Sequence, residues 1–282
     1  MTRWILCLTA SILLTGCNKY EALDATIPSC GYVRTTDLPY GNEPRQKLDI
    51  YRPRRVAPGA KVVIFFYGGA WQGGRKADYR FAAEGLTSEG FVAVVPDYRV
   101  YPEVTFPAFV EDGALAVRWV HDHVDQFGGD PEHIYLMGHS SGAHIAALLT
   151  LDEHYLKNVG VNRNVVQATV AMSGPYDFKI GRDSRPAFGK SENNSTIDPK
   201  TQPITYADGR APPILLQHGA QDDAIAPGNA VRLAERIQAA GGQAKCIIYP
   251  KLGHAGVAMS LSFTFRWLAP VLHDAAIFFR EH

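Results

Sequence analysis

The chain has 282 residues, a length that allows one large α/β domain or two small ones. Its 28 basic and 28 acidic residues cancel, so no sequence-wide field favours nucleic acid or an acidic membrane surface. With 46% hydrophobic and 20% charged residues, the composition is typical of a globular protein and excludes collagen-like and disordered chains. We therefore expect a domain with a sizeable core and no nucleic-acid partner.

The N-terminal residues have the pattern of a secretory signal. Ile5 to Leu14 form a stretch of ten residues without charge, which is too short to span a bilayer. Leu14-Thr15-Gly16-Cys17 resembles the lipobox of bacterial lipoproteins, in which the cysteine becomes the lipidated first residue of the mature chain. We predict a signal peptide at 1–16, lipidation of Cys17 and a polar tether at 17–31; an ordinary cleaved signal is the alternative.

This anchor predicts where the protein resides. Several acyl chains on Cys17 would hold the protein firmly on a membrane of the bacterial cell envelope. Asn18 follows the cysteine in place of the aspartate that is associated with inner-membrane retention. We therefore expect lipid anchoring in the outer membrane, with the folded domain facing the periplasm.

Two cysteines remain once the signal is removed and Cys17 is lipidated. Cys30 precedes the first predicted strand and Cys246 lies in the last one. An exported protein could pair them, but we expect the two residues at opposite edges of one sheet, which argues against a disulfide; the pairing is left open.

From residue 32 to residue 282, short β-branched runs alternate with longer segments of helical periodicity. The predicted strands are Tyr32–Thr36, Gln46–Tyr51, Lys61–Phe66, Phe91–Pro96, His133–Gly138, Val165–Ser173, Pro213–His218 and Ala244–Tyr249. The predicted helices are Asp78–Ser88, Phe109–Gln126, Ser141–Leu151, Gly228–Ala240 and Ser260–Arg280. Such alternation indicates an α/β domain with a mostly parallel eight-stranded sheet and helices on both faces. The first two strands have no helix between them and should form an antiparallel edge.

One late segment, residues 179–211, lacks clear periodicity and is rich in polar, proline and glycine residues. A segment of this length and composition is expected to run over the surface. We predict that it is an insertion and a candidate lid.

Gly138-His139-Ser140-Ser141-Gly142 matches the G-x-S-x-G pattern of a nucleophile elbow. A buried strand enters the motif and an apolar helix leaves it, so the chain must reverse at one residue. Such a reversal strains the backbone, and the glycines on either side remove side chains that would collide. Ser140 is therefore the candidate nucleophile; a capping serine in an ordinary strand-to-helix turn is the alternative.

Acyl transfer also needs donors that face the charge developing on the carbonyl oxygen. The strand Lys61–Phe66 runs into Tyr67-Gly68-Gly69-Ala70-Trp71, where paired glycines allow backbone N–H groups to approach a ligand. We predict an oxyanion hole formed by the N–H groups of Gly69, Ala70 and Ser141.

The remaining partners of a catalytic triad should follow the serine as an acid and then a histidine. Asp222 and Asp223 come after the strand Pro213–His218, and His254 comes after the strand Ala244–Tyr249. Both positions lie where the carboxyl ends of parallel strands converge. We predict His254 as the base and one member of the acidic pair, Asp222 or Asp223, as the acid.

The other histidines are poorer candidates for the base. His133, His139 and His144 lie close to Ser140 in the sequence, and His121 and His123 fall within one predicted helix. An i, i+2 pair points to different faces of a helix, so the last two do not suggest a metal site. We predict neither a metal nor an organic cofactor.

Taken together, these motifs resemble the α/β-hydrolase superfamily, within the esterase branch related to hormone-sensitive lipase, prenylcysteine methylesterases and feruloyl esterases. The resemblance covers about residue 32 to the end. Besides the elbow and the glycine turn, it rests on Pro96-Asp97-Tyr98-Arg99, Gly129-Asp130-Pro131, Ser173-Gly174-Pro175-Tyr176-Asp177, His218-Gly219-Ala220-Gln221-Asp222 and Gly253-His254. It implies an α/β-hydrolase fold and the Ser140, Asp222, His254 triad.

The chain departs from this family where the oxyanion motif usually opens with histidine, because Tyr67 stands there. Since the donors are backbone groups, we expect the tyrosine to change how the loop is held and not to remove the hole. By the same resemblance, Asp97 and Arg99 should form an ion-paired brace near this loop.

The sequence therefore predicts a lipid-anchored serine hydrolase that cleaves a small carboxylic ester through an acyl-enzyme. An amidase or formamidase of arylformamidase type is the enzymatic alternative, because the same groups cleave amides when the pocket favours them. A non-catalytic binding module on a hydrolase scaffold is the alternative from another class. The oligomeric state is left open.

Overall fold

A computed structural model describes residues 26–55, 58–179, 185–189 and 198–282. The predicted signal peptide 1–16, Cys17 and the tether up to residue 25 lie outside the described residues. So do residues 180–184 and 190–197 of the candidate lid. Among the helices in the described ranges, none is both long and apolar enough to cross a membrane.

Eight strands form one sheet in the order β1-β2-β4-β3-β5-β6-β7-β8. Strand β2 is antiparallel to both β1 and β4, whereas all other neighbouring pairs are parallel. The strands are β1 Tyr32–Pro39, β2 Lys47–Pro53, β3 Ala60–Phe66, β4 Val92–Pro96, β5 Gly129–His139, β6 Val166–Met172, β7 Ile214–Gly219 and β8 Ala244–Tyr249. The prediction of a mostly parallel eight-stranded sheet with an antiparallel edge is confirmed.

The α-helices cover both faces of this sheet. Phe65 and Phe66 are consecutive in β3 and therefore point to opposite faces. The Phe65 ring packs 5.6 Å from the Tyr79 ring, and the Phe66 ring lies against Gly113. In the described residues, the helices are α1 Arg80–Ser88, α2 Ala108–His123, α3 Ser141–Leu151, α4 Glu153–Asn158, α5 Gly228–Ala239, α6 His254–Met259 and α7 Val271–Glu281.

The central helix α3 has the predicted bounds, but the predicted helix Ser260–Arg280 is wrong at its beginning. Helix α7 starts only at Val271, directly after Pro270. A residue before proline avoids helical backbone angles, and Ala269 is extended with φ −166° and ψ 158°. The short helices α4 and α6 were not predicted.

Cys30 and Cys246 are both free thiols. Cys30 precedes β1 and Cys246 lies in β8, and these strands are the two edges of the sheet. The expected placement of the two cysteines at opposite edges of one sheet is confirmed.

Candidate active site

Ser140 stands at the sharp turn between β5 and α3 with φ 55° and ψ −122°. A serine in this positive-φ region is strained, and the glycines beside it make the turn possible. A Cβ on Gly138 would lie 2.3 Å from the Gly142 carbonyl oxygen, and one on Gly142 would lie 2.1 Å from the Phe66 oxygen. Both positions therefore exclude any side chain, because the backbone itself occupies the space.

Three predicted residues from distant parts of the chain meet at this turn. His254 Nε2 lies 2.9 Å from Ser140 Oγ, and His254 Nδ1 lies 2.9 Å from Asp222 Oδ2. The ionised carboxylate can only accept a hydrogen bond, so Nδ1 carries the imidazole proton. Nε2 is then left as an acceptor for the serine hydroxyl.

Asp222 is buried and its carboxylate is fully hydrogen-bonded. Oδ1 accepts from the backbone N–H groups of Ala224 at 3.0 Å and Ile225 at 2.8 Å. Burial alone would raise the pKa of Asp222, but hydrogen bonds from His218, His254 and Ile225 outweigh it and hold this pKa well below its usual value. The carboxylate is therefore ionised at neutral pH. The neighbouring Asp223 is exposed.

The contact of His218 with Asp222 was missed by the sequence analysis. His218 Nε2 lies 3.0 Å from Asp222 Oδ2 and 2.9 Å from the Ile225 carbonyl oxygen, so a single N–H is shared between two acceptors. Its side chain is fully buried. The only local signal was a histidine near the carboxyl end of β7, four residues before the predicted acid.

The three predicted oxyanion donors lie around the same turn. Gly69 and Ala70 are exposed and have φ values of 154° and 54°. A Cβ on Gly68 would lie 3.0 Å from the Ser140 Cβ, so this loop packs against the serine. Across the described ranges, the N–H groups of Gly69, Ala70 and Ser141 have no hydrogen-bond acceptor. They are thus available to an oxygen atom of a ligand.

Tyr67, which stands where histidine is usual, holds this loop through its hydroxyl group. It donates to Asp97 Oδ1 at 2.9 Å and accepts from Arg45 Nη2 at 2.9 Å. Its ring stacks 4.6 Å from the ring of Tyr98, whose hydroxyl donates to the Tyr67 carbonyl at 2.6 Å. Asp97 also accepts from the backbone N–H of Lys76 at 2.6 Å. These contacts of Tyr67 therefore hold the beginning of the oxyanion loop in place.

The predicted ion pair between Asp97 and Arg99 is wrong, because each residue has another partner. Arg99 Nη2 lies 2.7 Å from Asp112 Oδ1, and Arg99 Nε lies 2.9 Å from Asp112 Oδ2. Asp112 belongs to α2 and is fully buried, so it needs a cation close by. The two residues brace the region by separate contacts.

An aromatic cluster adjoins the oxyanion loop. Trp71, directly after Ala70, stacks 5.9 Å from Phe178 and meets Phe188 edge-on at 4.8 Å. His144 lies 5.1 Å from the same indole ring. Described parts of the predicted insertion thus pack beside the residues around Ser140.

Two further histidines near the elbow are buried and structural. His139 Nε2 bonds to the His254 carbonyl oxygen at 3.1 Å, and His144 Nε2 bonds to the Thr201 carbonyl oxygen at 2.8 Å. Burial lowers the pKa of His139 to about 3 and that of His144 to about 4. Both rings are therefore neutral over most of the acidic range.

We expect these two histidines to make the fold acid-sensitive. The unfolded chain takes up protons below about pH 6.5, whereas the folded chain does so only near pH 4 and 3, so stability falls as the pH falls through this window. At about pH 5 the loss is about 2 kcal/mol for each ring. Denaturant unfolding of His144→Gln should show a shallower pH dependence, with exposed His273→Gln as the control. An unchanged slope in His144→Gln would contradict this assignment.

His121 and His123 have separate contacts. His121 Nδ1 lies 3.2 Å from Asp122 Oδ1, and His123 Nδ1 lies 2.8 Å from the Trp119 carbonyl oxygen. A group of three or more histidine, cysteine or acidic residues that could hold a metal ion is not found in the described ranges.

Comparisons with known proteins agree with this architecture. A family model described as BD-FAE matches residues 48–237, which include Ser140 and Asp222 but end before His254. The probable isoprenylcysteine alpha-carbonyl methylesterase ICMEL1 of Arabidopsis thaliana is 32% identical over 244 residues, covering 79% of this chain and 51% of the plant protein. Esterase LipC of Mycobacterium tuberculosis is 30% identical over 290 residues, covering 93% of this chain and 70% of that protein.

A solved structure shows the same fold. A truncated form of a carbohydrate esterase from gut microbiota superposes with a TM-score of 0.79 at 24% identity, over 90% of this chain and 98% of that one. The chain spans about half the length of the plant methylesterase. The resemblance stated from the motifs is confirmed: the chain has an α/β-hydrolase fold and belongs to the BD-FAE family.

Proposed function

We propose that the protein is a serine hydrolase that cleaves carboxylic esters through an acyl-enzyme intermediate. The observation that carries this proposal is the continuous set of hydrogen bonds from Ser140 through His254 to Asp222, with both distances at 2.9 Å. A hydroxyl group bonded to an imidazole, itself oriented by a carboxylate, is the arrangement that activates a serine.

In the first half of the reaction, Ser140 Oγ attacks the acyl carbon while His254 Nε2 takes its proton. Asp222 orients the imidazole and stabilises the imidazolium that forms. The negative charge on the carbonyl oxygen is stabilised by the N–H groups of Gly69, Ala70 and Ser141. Collapse of the tetrahedral intermediate breaks the ester bond, and the alkoxide leaves with the proton from Nε2.

In the second half, a water molecule takes the place of the alcohol. His254 removes a proton from this water, the resulting hydroxide attacks the acyl carbon, and Ser140 leaves with the proton returned by Nε2. The free acid departs and the serine hydroxyl is restored. These steps involve only the residues named here, the ester and water.

Labelling with a fluorophosphonate probe tests the proposal. The probe phosphonylates an activated serine, and digestion followed by mass spectrometry should locate it on the peptide that contains Ser140. A screen of acyl p-nitrophenyl esters, feruloyl esters and N-formylkynurenine should then show turnover of esters. Folded protein that takes no label would contradict the proposal and favour a binding module, and turnover of the formamide alone would favour an amidase.

We also propose that Cys17 carries the lipid anchor in the outer membrane, on the pattern Leu14-Thr15-Gly16-Cys17 and the following Asn18. Cys17→Ala is expected to abolish incorporation of labelled palmitate, since it removes the acceptor thiol. Fluorophosphonate labelling should persist, because Cys17 precedes the folded domain. Undiminished palmitate labelling of the variant would contradict the anchor.

A further inference from the structure

Two large aromatic side chains lie exposed in the segment between α6 and α7. Phe263 is 59% exposed and Trp267 is 78% exposed, whereas no other large hydrophobic side chain of the described residues exceeds 38%. Single exposed hydrophobic residues are ordinary, but two such rings within five residues are a candidate interaction surface. We call Phe263 and Trp267 the aromatic patch.

The N-terminal segment reaches the domain at this patch. Thr26 is the first described residue, and its Oγ1 lies 3.0 Å from Oγ1 of Thr264, which is next to Phe263. Ile27, the next residue, is buried in the core and fixes this end of the segment on the domain. The chain that leads from Cys17 therefore joins the folded domain beside the two exposed rings.

The length of that chain limits how far the patch can be from a lipid anchor. Thr26 follows Cys17 by nine residues, which reach at most ~32 Å when fully extended. If Cys17 is lipidated as proposed above, the patch cannot leave the vicinity of the bilayer, and this inference rests on that anchor. A surface so tethered meets lipid at a high effective concentration.

The chemistry of the patch suits the boundary between lipid headgroups and acyl chains. Tryptophan is enriched at that boundary because its ring is apolar and its N–H can still bond to water or headgroups. The guanidinium carbon of Arg266 lies 5.9 Å from the Phe263 ring centre, and this guanidinium bonds to Glu84 Oε2 at 2.5 Å. The charge of Arg266 is therefore already paired with Glu84. We expect insertion of the patch to be independent of anionic lipid.

We propose that the aromatic patch inserts into the surface of the membrane to which Cys17 is anchored, so that the domain docks on the bilayer through this face. The contact orients a domain that the anchor alone would leave free to turn. Both rings are exposed, so their substitution should not disturb the core.

The test uses the processed, lipidated protein, which is extracted from membranes with detergent and reconstituted into phosphatidylcholine vesicles. Brominated acyl chains quench tryptophans that enter the bilayer. After removal of the signal with Trp4, three tryptophans remain, namely Trp71, Trp119 and Trp267. Brominated lipid should therefore remove up to about one third of the emission. Trp267→Phe should abolish this loss, and Trp119→Phe, at a half-buried ring stacked on His123, should keep it.

The possible outcomes separate the two proposals. The wild-type protein could incorporate palmitate and bind vesicles but show no bromine-dependent loss of tryptophan emission. This result would overturn the docking surface and leave the anchor intact. A blue-shifted Trp267 emission without quenching would mean that protein covers the patch, and it would overturn lipid as the occupant. Absence of palmitate would overturn both. Fluorophosphonate labelling of the same sample reports on Ser140 independently.

Discussion

Ser140→Ala is expected to lower kcat for ester hydrolysis by ~10⁶-fold, the size of the loss when a serine hydrolase is deprived of its nucleophile. The effect is large because no neighbouring hydroxyl can replace Oγ, which is 2.9 Å from His254 Nε2. Ser141→Ala, one residue further, is expected to cost less than ~10-fold, because its proposed contribution is a backbone N–H that alanine keeps. A lost oxyanion donor would cost ~10²- to 10³-fold.

The environment of Ser141 makes this pair of variants informative. Its hydroxyl is buried, and the neighbouring Tyr98 hydroxyl keeps its hydrogen bond to the Tyr67 carbonyl when Ser141 is replaced by alanine. Both variants should therefore fold, as circular dichroism and thermal unfolding will show. Steady-state kinetics on p-nitrophenyl acetate give the two values of kcat. Comparable inactivation of both folded variants would mean that the nucleophile or the role of Ser141 has been assigned wrongly.

Asp222→Asn is expected to lower kcat by at least ~10²-fold, and the serine-protease precedent for this change is ~10⁴-fold. Asparagine keeps the shape of the side chain but can turn a donor toward His254 Nδ1. The imidazole would then carry its proton on Nε2, where it can no longer accept the proton of Ser140. His218 would lose part of the same acceptor, since its Nε2 lies 3.0 Å from Oδ2.

Asp223→Asn is the matched control, with an expected loss of less than ~10-fold. Asp223 is adjacent in the chain but exposed, and the carboxylate hydrogen bond to His254 comes from Asp222. Kinetics on the two folded variants distinguish the neighbours. The reverse ranking would assign the acid of the triad to Asp223.

The sequence by itself determined the eight strands and their mostly parallel arrangement. The central strands, such as β3 and β4, are short apolar runs bounded by turn residues, and this signal lies within the run itself. It also located the turn at Ser140, because Gly138 and Gly142 mark a point where backbone packs against backbone. The choice of Asp222 over Asp223 required the family's spacing, since composition treats the two alike.

The helical periodicity of the sequence did not predict the beginning of the last helix, where a proline and packing in the core determine the backbone. The helix predicted from Ser260 begins instead at Val271, because Pro270 interrupts it. Ahead of the proline, the fully buried Leu261 approaches α1 through its carbonyl group, and a Cβ on Gly85 would lie 2.5 Å from that oxygen. The segment before Pro270 thus packs against α1 and does not form the helix that its periodicity favoured.

Only the tertiary structure decided which groups donate hydrogen bonds to the carboxylates of Asp97 and Asp222. Asp97 bonds to Tyr67 and Lys76, and Asp222 shares one oxygen between His254 and His218. Some of these donors lie near the carboxylate in the sequence, such as His218 for Asp222, but His254 comes from a distant loop, and Tyr67 and Lys76 are about 20 to 30 residues away from Asp97. Residue spacing can therefore predict that Asp222 is the acid of the triad. The hydrogen bonds that keep its carboxylate ionised depend also on how distant segments pack.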